Sequence, residues 1–193
     1  MLPMIDQALQ LVRDRLNDHL RVRFAVAEDL VSLSPLTDAE GKPAQEARNR
    51  LALFLINIAR DAVPRARRGQ GAAVVTQHQP LHMDVYFMIA SGHDADLYPE
   101  GLKLVSAALM FFQSQPVFTP QTTPDMPQGL TQLTVEVSNM QLEEIGQIWS
   151  NLGSRYVPSV MFKMRSVMID ASVVTGVVPT ITAPSQRAQP EEV

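Results

Sequence analysis

The chain has 193 residues, 46% of them hydrophobic and 19% charged, with a formal net charge of -4 and no cysteine. That length suits one domain with a full core and is short for two. The charge balance gives no overall pull toward nucleic acid, and the lack of cysteine excludes disulfides, thiolate metal sites and cysteine nucleophiles.

The opening MLPMIDQALQ carries an acid at Asp6 and no basic stretch ahead of an apolar run, so no signal peptide is expected. The longest apolar stretch, LALFLINIA, is too short to span a bilayer and is broken by Asn57. These features predict a protein made in the cytoplasm, with neither membrane nor nucleic acid as partner. Leu2, Ile5, Leu9, Val12, Leu16 and Leu20 recur at spacings of three and four with polar residues between them, which predicts an amphipathic first helix. Beyond it Val22, Phe24 and Val26 alternate with Arg21, Arg23 and Ala25, the pattern of a strand with one buried face. SLSPLTDAEGKPAQ, with two prolines and a glycine, reads as a loop.

RNRLALFLINIAR fits a helix through Leu51, Phe54, Leu55 and Ile58 and also a strand buried on both faces; the strand is preferred. The turn PRARRGQG follows, with Arg65, Arg67 and Arg68 bounded by Pro64 and Gly69. It is either a solvated loop or a binding patch. LHMDVYFMIA alternates cleanly, with Leu81, Met83, Val85, Phe87 and Ile89 on one face of a strand. After the polar SGHDAD, Pro99 and Glu100 suit a first helical turn, and Leu102, Val105, Leu109 and Phe112 form the stripe of a second helix.

Pro116, Pro120, Pro124 and Pro127 break the next stretch into an extended connection, and Leu133, Val135 and Val137 then alternate as a strand. Leu142, Ile145, Trp149 and Leu152 mark a third helix, with Glu143 and Glu144 in its first turn and Gly153 as its stop. In the last strand Val160, Phe162, Met164 and Met168 point to one face, while Met161, Lys163 and Arg165 point to the other. The remainder is rich in Pro, Thr and Gly and reads as a tail, disordered toward its end. The expected fold is α+β: one domain over residues 1–172, a largely antiparallel or mixed sheet with about three helices packed on it, and a tail over 173–193.

No catalytic constellation emerges. A metal-dependent hydrolase would have to draw on His78, His82 and the loop of His93, Asp94 and Asp96, but His78 and His82 flank Pro80 at the start of a strand, where their spacing sets them apart. The His93 loop lacks the twelve-residue calcium pattern and suits a turn that caps the second helix. His19 is expected at the end of the first helix, where a cation suits the dipole. No enzyme activity, metal or cofactor is predicted.

A different signal is the concentration of Trp149, Arg155, Tyr156, Lys163 and Arg165 within seventeen residues. These residue types are enriched at contact surfaces. An alternative stands beside this one: Trp149 in the core and the cations on a solvated sheet face.

LKLVSAALMFFQSQPVFTP, followed by LTVEVSNMQLEEIGQIWSNLGSRYVPSVMFKMRSVMID, resembles the tail-terminator, or cap, proteins of extracellular contractile injection systems, phage-tail-like particles such as antifeeding prophages and Photorhabdus virulence cassettes. The similarity covers residues 5–171, and its most distinctive part runs from Trp149 through Leu152, Gly153, Tyr156, Pro158 and Ser159 to Lys163 and Arg165. The resemblance implies a terminator fold and a homohexameric ring at the end of the particle distal to the baseplate. It implies the inner tube and contractile sheath proteins as partners and no catalysis. A terminator of a true phage or prophage tail is the nearest alternative. The particle itself can be cytoplasmic or released.

Overall fold

A computed structural model describes residues 5–38, 40–61, 81–128 and 130–169. Arg65, Arg67, Arg68, His78 and the predicted tail lie outside the described residues.

The first helix, α1, runs Ile5–Phe24, and its stripe of Leu9, Val12, Leu16 and Leu20 is buried as the spacing requires. The strand expected at Val22 and Phe24 does not form, because the helix continues through them. Val22 is 85% exposed on its overhanging last turns. Six residues of alternation do not distinguish a strand from the solvent side of a helix end. The stop is a left-handed Ala25 at φ 53°, after which the Val26 amide donates to the Arg21 carbonyl at 3.1 Å, closing the helix by a six-to-one bond. His19 therefore sits before the last turn, its ring 5.1 Å from that of Phe111; the terminal cations are Arg21 and Arg23.

The predicted loop after α1 begins with a strand, β1, at Val31–Leu33. Three residues are too few to show a period, and tertiary bonds hold them. Asn17, buried in the middle of α1, accepts hydrogen bonds from the Leu30 and Val31 amides at 2.8 and 2.9 Å and donates to the Val31 carbonyl at 2.9 Å. A short 3-10 turn, Gln45–Ala47, begins at the last residue of that predicted loop and buries Ala47.

The long strands form as predicted: β2 at Leu51–Arg60 and β3 at Leu81–Ser91. The second helix, α2, spans Tyr98–Ser114, but its core side is offset from the expected stripe: Val105 and Phe112 are buried with Leu104, Ala108 and Phe111, while Leu102 faces outward, since a helix this rich in apolar residues offers more than one stripe. A 3-10 turn at Ala95–Leu97 precedes it, so its N-cap is Leu97, which makes no side-chain cap bond; the His93 to Asp96 loop leads into the helix without capping it. The proline-rich connection contributes a two-residue strand, β4 at Val117–Phe118. β5 at Leu133–Val137, α3 at Leu142–Asn151 and β6 at Ser159–Ile169 complete the described chain.

The strands make one six-stranded sheet in the order β1-β2-β3-β6-β5-β4. Only β1 runs parallel to its neighbour, so the sheet is mixed and the α+β expectation holds. Irregularities between Leu55 and Asn57 and between Met83 and Val85 strengthen its twist. α1 and α2 cover one face. There Phe87 and Phe162 stack at 5.5 Å, and Phe112 of α2 lies 4.7 Å from Phe162. On the other face a smaller cluster of Ala52, Phe54, Met88, Ala90 and Met161 packs against Trp149 of α3 and Ala44 and Ala47 of the loop.

Candidate interaction surface

The second sheet face carries the aromatic and cationic residues singled out in the sequence. α3 crosses it on a narrow contact. Its first turn is held by the Glu144 carboxylate accepting the Gln141 amide at 2.9 Å, and Trp149 is its one buried residue, with Ile145 and Ile148 packed alongside. Leu142 and Leu152, expected on the apolar stripe with Ile145 and Trp149, are exposed, because the narrow contact reaches only the middle of the helix. Trp149 meets Tyr156 edge to face at 5.7 Å, and Tyr156 is 65% exposed. Trp149 is thus both core and the underside of a surface, which joins the two readings of the sequence.

Beside this pair opens a cleft of 180 Å³ whose apolar lining includes Met88, Met140, Ile145, Tyr156 and Met161. Small-molecule sites usually run to roughly 300–1,000 Å³, so its scale is that of a side chain. Methionine lining makes it adaptable. Arg155, adjacent to Tyr156, is exposed and has no ion-pair partner among the described residues.

Farther along β6 the two cations have partners. The Lys163 ammonium lies 2.7 Å from Asp84 Oδ2 on β3 and 5.4 Å from the centre of the Tyr86 ring. The bond to Asp84 holds the Lys163 ammonium above its usual range. Arg165 pairs with Glu136 on β5 at 2.7 Å. β6 lies between β3 and β5, and each neighbour supplies one acid. Two adjacent cations are therefore accommodated on this face by in-sheet partners. Both members of the Lys163–Asp84 pair are largely buried, so removing either would strand the other.

Trp149, Arg155 and Tyr156 are brought together at one end of this face, Lys163 and Arg165 lie on it farther along the strand, and Arg65, Arg67 and Arg68 fall outside the described residues. Sequence reasoning missed Asp84, Glu136 and the methionine cleft. Acids at the outward positions of the two alternating strands were the available signal, but it becomes specific only once the strand order is known. Of the histidines, His93 sits with Nδ1 3.1 Å from the Ser91 hydroxyl, and burial pushes its pKa down. Among the described residues no group of three His, Cys, Asp or Glu is placed to hold a metal ion, and no helix is long and apolar enough to cross a membrane.

Two structures solved by electron cryomicroscopy share this fold. The sheath/tube terminator of the extracellular contractile injection system PVC, in its extended state, superposes with a TM-score of 0.62 at 14% identity, over 100% of this chain and 65% of that one. The tube-terminating cap of the anti-feeding prophage gives a TM-score of 0.54 at 18% identity, over 93% of this chain and 61% of that one. The family model described as the Pvc16 N-terminal domain matches residues 7–183. The chain belongs to the Pvc16 N-terminal domain family. Its Pvc16-type domain spans less than two thirds of either solved terminator. A search of curated proteins returns no match.

Proposed function

We propose that this protein is the structural cap of a contractile, phage-tail-like injection particle. Copies form a hexameric ring that ends the inner tube and anchors the last layer of sheath, and the protein acts by assembly and not by catalysis. The observation that carries this reading is the family match across nearly the whole sequence. The fold likeness to a sheath/tube terminator and to a tube-terminating cap supports it. Within it, the second sheet face with Trp149, Arg155, Tyr156, Lys163 and Arg165 belongs to a subunit contact, and the turn with Arg65, Arg67 and Arg68 reaches tube or sheath. The exposed Arg155 and Tyr156 carry the energetic weight of that contact, while Lys163 and Arg165, neutralised within the sheet, shape it.

Native mass spectrometry over a range of concentrations, alone and with purified inner tube protein, tests the ring. A six-copy species in either sample is the expected result. A monomer throughout, in both samples, would overturn the reading.

A further inference from the structure

A closed ring of identical copies is built head to tail, so each copy must present two different patches that fit each other. The methionine cleft is one candidate, and the other lies on α2. Tyr98, Leu102, Ser106 and Met110 follow one another at four-residue steps along its outer side, and the three large residues are 50, 41 and 43% exposed. The opposite side of the helix is buried in the main core. Ser106 donates its hydroxyl to the Leu102 carbonyl at 2.8 Å, so the stripe can be covered without stranding a polar hydrogen.

We infer that the α2 stripe of one copy packs against the cleft beside α3 of the next copy in the ring; this rests on the cap reading above. Size, charge and position all favour a second copy as the occupant. At 180 Å³ the cleft is scaled to a projecting side chain such as Tyr98. Arg155, beside the cleft residue Tyr156, has no ion-pair partner among the described residues, and neither does Asp96, exposed just before α2; Glu100 in the first turn, exposed and 3.4 Å from Lys103, adds a second acid. Docking would bring this cation to those acids, which sets register and rejects the reversed pairing.

Position is the third support. α2 lies on one face of the sheet and the cleft on the other, so no copy can satisfy itself. The cleft and the Tyr98 end of the stripe nonetheless lie at the same end of the strands. The Ser91 amide donates to the Pro158 carbonyl at 2.9 Å, next to the cleft strand, and Gly101 in the first turn of α2 packs against Ser91. Cyclic symmetry has rotation without rise, so mating patches must share a height along the axis. A ring axis running along the strands would put Tyr98 and the cleft at one height, as closure without a rise requires.

The absence of native cysteine makes a direct test possible. Ala95→Cys/Asn139→Cys, at exposed positions before α2 and on the cleft rim that leave Tyr98 and Tyr156 in place, and Leu102→Cys/Leu142→Cys, treated with a short bis-maleimide, are expected to give a ladder of covalent oligomers, while each single variant stays monomeric on a denaturing gel. Arg155→Glu is expected to raise the concentration at half assembly about tenfold, and adding Asp96→Arg to reverse that. Covalent dimers from the single variants would mean that like patches meet and would overturn the proposal. No ladder from either pair, while the unmodified protein gives six-copy species by native mass spectrometry, would overturn this contact and leave the cap reading standing. No oligomer of the unmodified protein, alone or with tube protein, would overturn both.

Discussion

Asn17 fastens the strand β1 to the helix α1 with one side chain: two backbone amides donate to it and one carbonyl accepts from it, in a site closed to water. Asn17→Ala would leave those backbone groups unpaired and is expected to lower stability by about 2–4 kcal/mol, read by urea unfolding. Nothing in the sequence marks this residue, because an asparagine among the polar positions of an amphipathic helix reads as solvent-facing. The facing of Phe162 and Met164 was legible, since alternation alone assigns it; the pairing of Lys163 and Arg165 was not, since it depends on which strands flank β6. His93 gives a pH dependence. Burial lowers its pKa below the usual 6.5, with Glu100 and Asp94 offsetting part of the effect. The unfolded chain then binds the proton more readily, so this contribution to stability is intact above 6.5 and is lost as pH falls through the lowered folded value. Thermal melts from about pH 7.5 to 5 should show a decline that is shallower in His93→Asn.

Two backbone positions show the opposite sides of one constraint. Ala25 ends α1 in the left-handed region that glycine occupies without strain, so Ala25→Gly is expected to stabilise by about 1 kcal/mol in chemical denaturation. Gly92 lies where an added Cβ would come within 2.0 Å of the Ala47 carbonyl oxygen. Gly92→Ala must displace backbone where the end of β3 meets the loop, and a loss of about 3 kcal/mol or more in the same measurement is expected. Elements with a long period were readable: α2, β2, β3, β5, α3 and β6 all stand where the hydrophobic pattern put them. The failures were short. β1 has three residues held by Asn17, β4 has two held by β5, and the extra turn of α1 mimicked a strand by chance alternation.

At the scale of the whole molecule, a mixed sheet is packed thickly on one face by two helices and thinly on the other by α3 and a loop, so apolar surface remains on both sides of one end. A monomer gains nothing from the exposed Tyr98, Leu102, Leu142 and Tyr156, whereas a ring of copies would bury them. The α+β class was legible from the order of elements and the architecture from resemblance, but the thin second face was not, because covering one sheet face with a single short helix is a packing outcome with no periodic signature. Whether this protein ends a tube can be seen by polymerising the inner tube protein with a labelled sample of this one and imaging lengths and label positions over time. A cap leaves label at one end of each tube and halts growth there; tubes that lengthen at an unchanged rate with no label at their ends would show that the protein does not terminate them.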